Sequence, residues 1–211
     1  MKPTLFTPAA TRQWARLSEH TRQRINSRLM EFAASGKGDI KRLKGRQGSR
    51  LRVGDWRVIF YEENNSIVVV AVGHRREIYD WENAMNVRFQ KTARGEVAIL
   101  PRKDYEALVA KAAEVVEDEG TARLVSHARR EIAAGEPLLP KHIVDRLAKK
   151  ESPIRVLREW RDMTQLHLSF KTGLSQGYLS DVETGRRKGT AAALRRIADV
   201  LKVPLDLLVR D

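Results

Sequence analysis

Two spacings of hydrophobic residues divide the first part of the chain. Apolar residues recur at helical spacing before Gly38, whereas from Leu51 onward they alternate with arginines, as in a strand with one solvated face. A β-branched run at Ile67–Val72 is typical of a buried central strand. The elements predicted from these patterns are a strand at Thr4–Phe6, helices at Pro8–Ala15 and Thr21–Ala34, strands on either side of Gly54-Asp55, and a strand at Ile67–Val72.

The resulting order is βααβββ, which places two helices on one face of a small, mostly antiparallel sheet. After Met85 a strand or hairpin is predicted at Val87–Leu100, and the pattern then becomes helical. The predicted helices are Lys103 to about Asp118, Thr121–Ala134, His142–Lys150, Ile154–Met163, Gln165–Lys171, Gln176–Glu183, Ala191–Leu201 and Leu205–Val209. The last five form a bundle. We therefore predict an α+β fold, a two-layer sandwich followed by a mainly helical part.

Positive charge is spread over both parts of this 211-residue chain. Residues 1–84 contain 16 lysines and arginines against 9 aspartates and glutamates, a net +7, so that +6 of the total of +13 falls on the remainder. A basic excess favours polyanionic partners, because neutralising phosphates releases their counterions. Two basic parts suggest two separate contacts with nucleic acid.

Several classes of site are disfavoured by composition. The chain contains no cysteine, and its five histidines show no paired ligand spacing, so we expect neither a metal site nor a cofactor. The longest apolar run, Ile67–Val72, is far too short to span a bilayer, and the N-terminus lacks the apolar core of a signal peptide. We therefore expect a cytoplasmic protein without a membrane partner.

Arginines follow the predicted strands with a definite geometry. Arg50 and Arg52 point to the same side of one strand, while Leu51 and Val53 point to the core. Arg57 lies on the next strand, and a hairpin at Gly54-Asp55 would bring its guanidinium to the same patch. The end of the buried strand adds further polar candidates, which are His74, Arg75 and Tyr79.

The segments Arg50–Phe60 and Val72–Arg75, together with Tyr79, resemble the core of RelE-family (HigB-like) toxins over most of residues 1–82. The resemblance implies a metal-independent endoribonuclease that cleaves mRNA on the ribosome. Arg57 and Arg75 would stabilise the charged transition state, since arginine pairs bidentately with phosphate oxygens. The other implied roles are RNA binding by Arg50 and Arg52, base stacking and proton transfer by Tyr79, and acid–base chemistry by His74.

Two departures leave alternatives open. Arg50 and Arg52 stand where the best-known members include lysine, and arginine is a poor general base, so the identity of the base stays open. Related ParE-type toxins share the fold and part of the arginine pattern but act on DNA gyrase. Tyr79 favours RNA as the substrate.

A helix-turn-helix pattern follows near the C-terminus. Thr164 caps one helix, Gly173 provides the turn, and Ser175 caps the next helix, which ends at Gly185. The stretch Arg158–Val209 resembles the Cro/C1-type (Xre) family, to which HigA-type antitoxins belong. The resemblance implies a homodimer on palindromic operator DNA. The implied contacts are Gln165 with phosphate, Ser175, Gln176, Gly177 and Asp181 in the groove, and Arg186 and Arg187 with the DNA backbone.

We expect Arg158 and Glu183 to form an internal ion pair that links the first and third helices of the bundle, rather than to contact DNA. Gly177 offers no side chain to a base, which puts sharp specificity at that position in doubt.

In both families the two partners are usually separate proteins encoded side by side, and here they are joined. We predict a toxin domain at 1–84, a neutralising and dimerisation segment at 85–152 and a DNA-binding domain at 153–211, with Met85 as the seam. The one acidic cluster placed to oppose the arginines is Glu114, Glu117, Asp118 and Glu119.

The leading hypothesis is a fused toxin–antitoxin protein, an mRNA endonuclease held inactive by its own C-terminal half, which also represses transcription. Neutralisation within one chain and across a dimer both stay open. The alternatives are a regulator with an inactive toxin fold and a gyrase inhibitor.

Overall fold

The computed structural model describes residues 1–43, 48–75, 78, 102–149 and 151–209, with the side chains of helix 102–133 described from residue 117 onward. The strands are β1 (Thr4–Phe6), β2 (Ile40–Arg42), β3 (Ser49–Val53), β4 (Trp56–Glu63), β5 (Ser66–His74) and β6 (Leu139–Pro140). The helices are α1 (Pro8–Arg16), α2 (Glu19–Ser35), α3 (Arg102–Ala133), α4 (Lys141–Ala148), α5 (Pro153–Trp160), α6 (Gln165–Thr172), α7 (Gln176–Glu183) and α8 (Ala191–Leu201), followed by a 3₁₀ turn at Leu205–Leu207.

Local sequence signals fix the ends of the first helices and the main hairpin. The hydroxyl of Thr7 accepts a hydrogen bond from the amide of Ala10 at the start of α1. Gly36 caps the C-terminal end of α2, and its φ of 71° is left-handed and so suits a residue without Cβ. Asn64 and Asn65 both have positive φ, and they join β4 to β5 in a two-residue hairpin turn.

The strands form one mixed sheet in the order β2-β3-β4-β5-β1-β6, in which β1 pairs with β5 in parallel and the other pairs are antiparallel. A bulge between β4 and β5 changes the register, since Ile59 pairs with Ala71 and Phe60 with Val69. One face of the sheet packs on α1 and α2 through a shared apolar core. The predicted α+β class is confirmed, and β2 is a strand that the sequence did not predict.

Helix α3 covers the other face of the sheet. Val125 and Ala128 pack on a strip of sheet residues, which are Ile59, Tyr61, Val68, Val70 and Ala71. Burial raises the pKa of the Tyr61 hydroxyl, which Glu63 raises further and Arg129 opposes. The sheet in the intact chain therefore lies between two helical layers.

The prediction of two helices, Lys103 to Asp118 and Thr121–Ala134, is wrong, because α3 is continuous from Arg102 to Ala133. A helix-interior glycine such as Gly120 costs roughly 1 kcal/mol relative to alanine. Gly120 is nevertheless buried, and the fully buried Thr121 donates its hydroxyl to the carbonyl oxygen of Glu117. Packing on the sheet thus outweighs the local preference for a break.

A second attachment joins the C-terminal part to the sheet edge. The segment between α3 and α4 contains β6, in which Leu139 pairs with Phe6 of β1. Helix α4 then packs on α1, and the ammonium of Lys141 lies 4.8 Å from the ring centroid of Trp14. A two-residue strand is too short to show an alternating pattern, which explains why β6 was missed.

The C-terminal bundle contains α5 to α8 around a core that includes Leu157, Leu168, Leu179 and Leu201. The helix predicted at Leu205–Val209 is instead a shorter 3₁₀ turn at Leu205–Leu207. The predicted strand at Val87–Leu100 and the seam at Met85 lie outside the described residues. No helix in the described part of the chain combines the length and the hydropathy needed to cross a bilayer.

We predict that Val125→Ala lowers the free energy of unfolding by about 1–2 kcal/mol, because two buried methyl groups are lost and a cavity is left between α3 and the sheet. Ser126→Ala, at an exposed position on the same helix, serves as the control and should change stability little. Urea unfolding monitored by tryptophan fluorescence measures both. Equal stability of Val125→Ala and the control would contradict the packing of α3 on the sheet.

Candidate functional site

Three predicted site arginines meet on the face of the sheet that α3 covers. Arg52 lies opposite Arg57 across β3 and β4, and Arg50 lies opposite Ile59, which contributes to the core under α3. The side chain of Arg50 has no exposed surface, and Arg57 is also buried, whereas Arg52 is partly exposed. The alternation of the strand thus produces the convergence that the sequence predicts for these three residues.

Two carboxylates of α3 lie among these guanidinium groups. An oxygen of Glu117 is 3.0 Å from Nη1 of Arg50, and the same carboxylate is 3.9 Å from Arg52 and 3.7 Å from Arg57. Asp118 is 3.1 Å from Nη2 of Arg50 and 3.2 Å from Nζ of Lys41. Each carboxylate therefore contacts more than one cation, and Arg50 contacts both.

The burial of this cluster makes its charge balance important. An unpaired charge inside a protein is expensive, and removing one member of a buried ion pair typically costs about 3–5 kcal/mol. Glu117 and Asp118 supply the compensation for Arg50, so the expected opposition of acidic cluster and arginines is confirmed for these two residues. Glu119 is exposed, and the side chain of Glu114 lies outside the described part.

The turn between β3 and β4 holds Arg57 in place. Its Nη1 donates to the carbonyl oxygens of Gly54 and Trp56, at 2.8 and 3.1 Å. Gly54 has a φ of 63°, which lets the backbone turn tightly beneath the guanidinium. The guanidinium of Arg57 is thus oriented by its own hairpin as well as by Glu117.

The remaining predicted residues of this site lie at the end of β5. Nε of Arg75 is 3.2 Å from a carboxylate oxygen of Asp55, and its backbone amide donates to the Asp55 carbonyl. The ring of His74 packs edge-on against Trp56, with 5.7 Å between centroids. Arg75 is therefore half-exposed beside the turn, and Tyr79 lies outside the described residues.

Lys41 belongs to this site and was missed by the sequence reasoning. It lies on β2, directly opposite Arg50 in the register of β2 and β3. Strand β2 is only three residues long, which is too short to show an alternating pattern of apolar and polar residues. Only its pairing with β3 places Lys41 next to Arg50. Basic side chains from three neighbouring strands thus form one patch.

The C-terminal bundle contains a separate set of predicted residues. The predicted Arg158–Glu183 ion pair is confirmed, since the guanidinium donates to both carboxylate oxygens at 2.8 and 3.3 Å. The side-chain amide of Gln165 donates to Glu183 at 2.8 Å, so it is held within the domain. Its backbone lies at the first turn of α6, where Thr164 caps the helix.

Helix α7 exposes its first residues. The hydroxyl of Ser175 accepts from the amide of Tyr178, and Gln176 and Gly177 beyond this cap are exposed. A Cβ added at Gly177 would meet nothing within 4 Å apart from its chain neighbours and its own helix backbone, so the space beside this position is open.

The residues after α7 are ordered by local contacts. Nε of Arg186 donates to Asp181 at 3.0 Å, and the guanidinium of Arg187 lies 5.3 Å from the ring centroid of Tyr178. The hydroxyl of Tyr178 in turn accepts from the amide of Thr190. Both arginines remain exposed, so they can reach a polyanion beside the α7 terminus.

Both the N-terminal and the C-terminal part of the chain match known protein families. Residues 4–79 match the family described as ParE toxin of type II toxin-antitoxin system, parDE, and residues 154–208 match the family described as helix-turn-helix. No curated protein matches the chain.

Two solved structures are similar to parts of the chain. One is the RelB-RelE antitoxin-toxin complex from Methanococcus jannaschii, with 29% identity over 36% of this chain and 96% of that chain, and a TM-score of 0.32. The other is the restriction-modification controller protein C.AhdI from Aeromonas hydrophila, with 28% identity over 30% of this chain and 96% of that chain, and a TM-score of 0.28.

We predict different effects for two substitutions around α7. Gln176→Ala should weaken binding to a preferred duplex by roughly 1–3 kcal/mol and relax the choice of base, since a side chain that pairs with a base edge carries about that much discrimination. Arg187→Ala should weaken binding to all sequences and make the salt slope shallower by about 1. Fluorescence anisotropy at several salt concentrations measures both. A uniform loss for Gln176→Ala would mean that it does not read bases.

Proposed function

We propose that the chain, which matches a ParE toxin family over residues 4–79 and a helix-turn-helix family over residues 154–208, is a toxin–antitoxin fusion that inhibits itself. The toxin-type domain is held inactive by the chain's own α3, while the helix-turn-helix domain binds operator DNA. One observation carries the proposal: Arg50 is fully buried under Glu117 and Asp118.

Charge complementarity supports this arrangement. The toxin-type part has an excess of positive charge, and its arginine face is where a phosphate group would be bound. Carboxylates placed on that face occupy the positions of an anionic ligand, so covering and binding exclude each other. The same ionic contacts favour the correct docking of α3 over other docked arrangements.

The covering element is attached to the toxin-type domain on its C-terminal side. Helix α3 is followed by β6 and α4, which attach to β1 and α1 of the toxin-type domain. Such tethering raises the effective concentration of α3 at the sheet far above that of a separate partner. We therefore propose that residues 85–152 are the neutralising segment and that inhibition occurs within one chain.

For the activity of the uncovered domain, we propose ribosome-dependent cleavage of mRNA without a metal ion. The 2′-hydroxyl would attack the neighbouring phosphate, and the guanidinium groups of Arg57 and Arg75 would stabilise the negative charge that develops. Arg50 and Arg52 would bind the RNA backbone. Tyr79 or His74 would transfer a proton, and the general base is not assigned.

Gyrase inhibition is the second candidate, and the description of the matching family as ParE toxin favours it. That activity requires the basic face as a protein-binding surface, without acid–base chemistry. A DNA supercoiling assay separates it from RNA cleavage.

For the helix-turn-helix domain, we propose repression of transcription by a homodimer bound to a palindromic operator. The groove contacts proposed are Ser175, Gln176, Gly177 and Asp181, with Gln165, Arg186 and Arg187 at phosphates. If the toxin-type fold is an inert module, repression of transcription is the whole function of the chain.

Reversing the two covering charges tests the inhibition in the full chain. We predict that Glu117→Lys combined with Asp118→Lys arrests growth on induction and cleaves mRNA, because like charges displace α3 from the arginine face. The control is Glu119→Lys, an exposed position on the same helix. The full chain is needed because residues 1–84 alone would expose the apolar strip that α3 covers.

Three outcomes of that experiment decide among the candidates, provided that circular dichroism shows a folded variant. Intact mRNA with inhibited supercoiling would favour the gyrase candidate. Intact mRNA with normal supercoiling would favour the inert module. Cleavage by the wild-type chain at the same rate would contradict self-inhibition.

Within the uncovered variant, Arg75→Ala should lower the rate of mRNA cleavage by roughly 100-fold or more, since it removes charge that stabilises the transition state. The Arg75 side chain is half-exposed, so its loss should leave the fold intact. The control is Arg28→Ala, an exposed arginine on α2. A rate unchanged by Arg75→Ala would remove that residue from the proposed site.

A further inference from the structure

We propose that the face under α3 binds two consecutive phosphate groups of one nucleic-acid strand, with Arg50 shared between them and Lys41 belonging to the second position. The inference rests on the proposed function and makes its ligand specific. It extends the site to Lys41 on β2, which is not among the site residues predicted from the sequence.

The two carboxylates mark two separate anion positions. At the first position, Glu117 lies within 4 Å of the guanidinium groups of Arg50, Arg52 and Arg57. At the second position, Asp118 lies 3.1 Å from Arg50 and 3.2 Å from Lys41. The two terminal nitrogens of Arg50 thus face different anions, one at each position.

The fit between Arg50 and these carboxylates is incomplete. Within the described residues, none of the three guanidinium nitrogens of Arg50 makes a hydrogen bond of good geometry, although two of them lie close to carboxylate oxygens. A buried donor without a hydrogen bond costs about 1–3 kcal/mol or more. A phosphate group presents more oxygen atoms in a tetrahedral arrangement, so it can satisfy donors that a planar carboxylate leaves unmet.

The arrangement favours a strand with adjacent phosphates over a single anion. An isolated phosphate would fill only one of the two positions. Either Lys41 at the second position or Arg52 and Arg57 at the first would then have no anion beside them. Two phosphates joined by one nucleoside supply both anions at once and replace both carboxylates. Displacing α3 therefore requires a ligand that carries at least two linked phosphates.

The test measures binding of two dinucleotides to the full chain by calorimetry. The opened chain carries Glu117→Gln and Asp118→Asn, and the probes are TpT, with one phosphate, and pTpT, with two adjacent phosphates. Both probes lack the 2′-hydroxyl and cannot be cleaved by its attack. The wild-type chain, with α3 in place, gives the background from the helix-turn-helix domain.

We expect the opened chain to bind pTpT roughly tenfold more tightly than TpT, as one additional charge-assisted contact would give. Adding Lys41→Ala should abolish that preference, whereas adding Lys37→Ala, which removes an exposed lysine beyond α2, should leave it unchanged. Equal binding of the two probes by the opened chain, or a preference that survives Lys41→Ala, would overturn the proposal.

If circular dichroism shows that the opened chain is unfolded, a chain with Val125→Asp replaces it, because this substitution displaces α3 through its apolar contacts. The binding of TpT and pTpT is then compared in that variant. Binding is measured without any reaction, so absence of mRNA cleavage leaves this result unaffected. Conversely, if the opened chain still prefers pTpT after Lys41→Ala, the two-phosphate site is overturned while the proposed nuclease stands.

Discussion

A carboxylate placed among buried guanidinium groups is the constraint on which the rest of this structure depends. Arg50 lies in the sheet with no exposed surface, and such a cation is tolerated only beside an anion. Glu117 and Asp118 provide that anion from α3. The arginine face and α3 are therefore matched to each other, and neither is stable in its present environment without the other.

Apolar contacts hold the helix where the ionic contacts need it. Val125 and Ala128 lie two and three turns after Glu117 on α3 and pack on the sheet strip that includes Ile59 and Val70. The strand β6 and helix α4 then continue onto the sheet edge. Hydrophobic burial contributes to the attachment, while the charges favour the surface that is covered.

Much of this arrangement was predictable from local patterns, and the remainder depends on long-range contacts. Alternation placed Arg50, Arg52 and Arg57 on one face, and capping residues such as Ser175 placed the helices of the C-terminal bundle. The continuity of α3 through Gly120 and the short strand β6 depend on packing against the sheet, which no local period records. Lys41 joins the site only through pairing of β2 with β3.

The accessibility of single arginines in the intact wild-type chain tests the central claim most directly. Labelling with a dicarbonyl reagent, followed by peptide mass spectrometry, reports how fast each guanidinium reacts. If α3 covers the arginine face, Arg50 and Arg57 react far more slowly than the exposed Arg155 and Arg187 of the same molecule. Labelling of Arg50 as fast as Arg187 would contradict the covered arrangement.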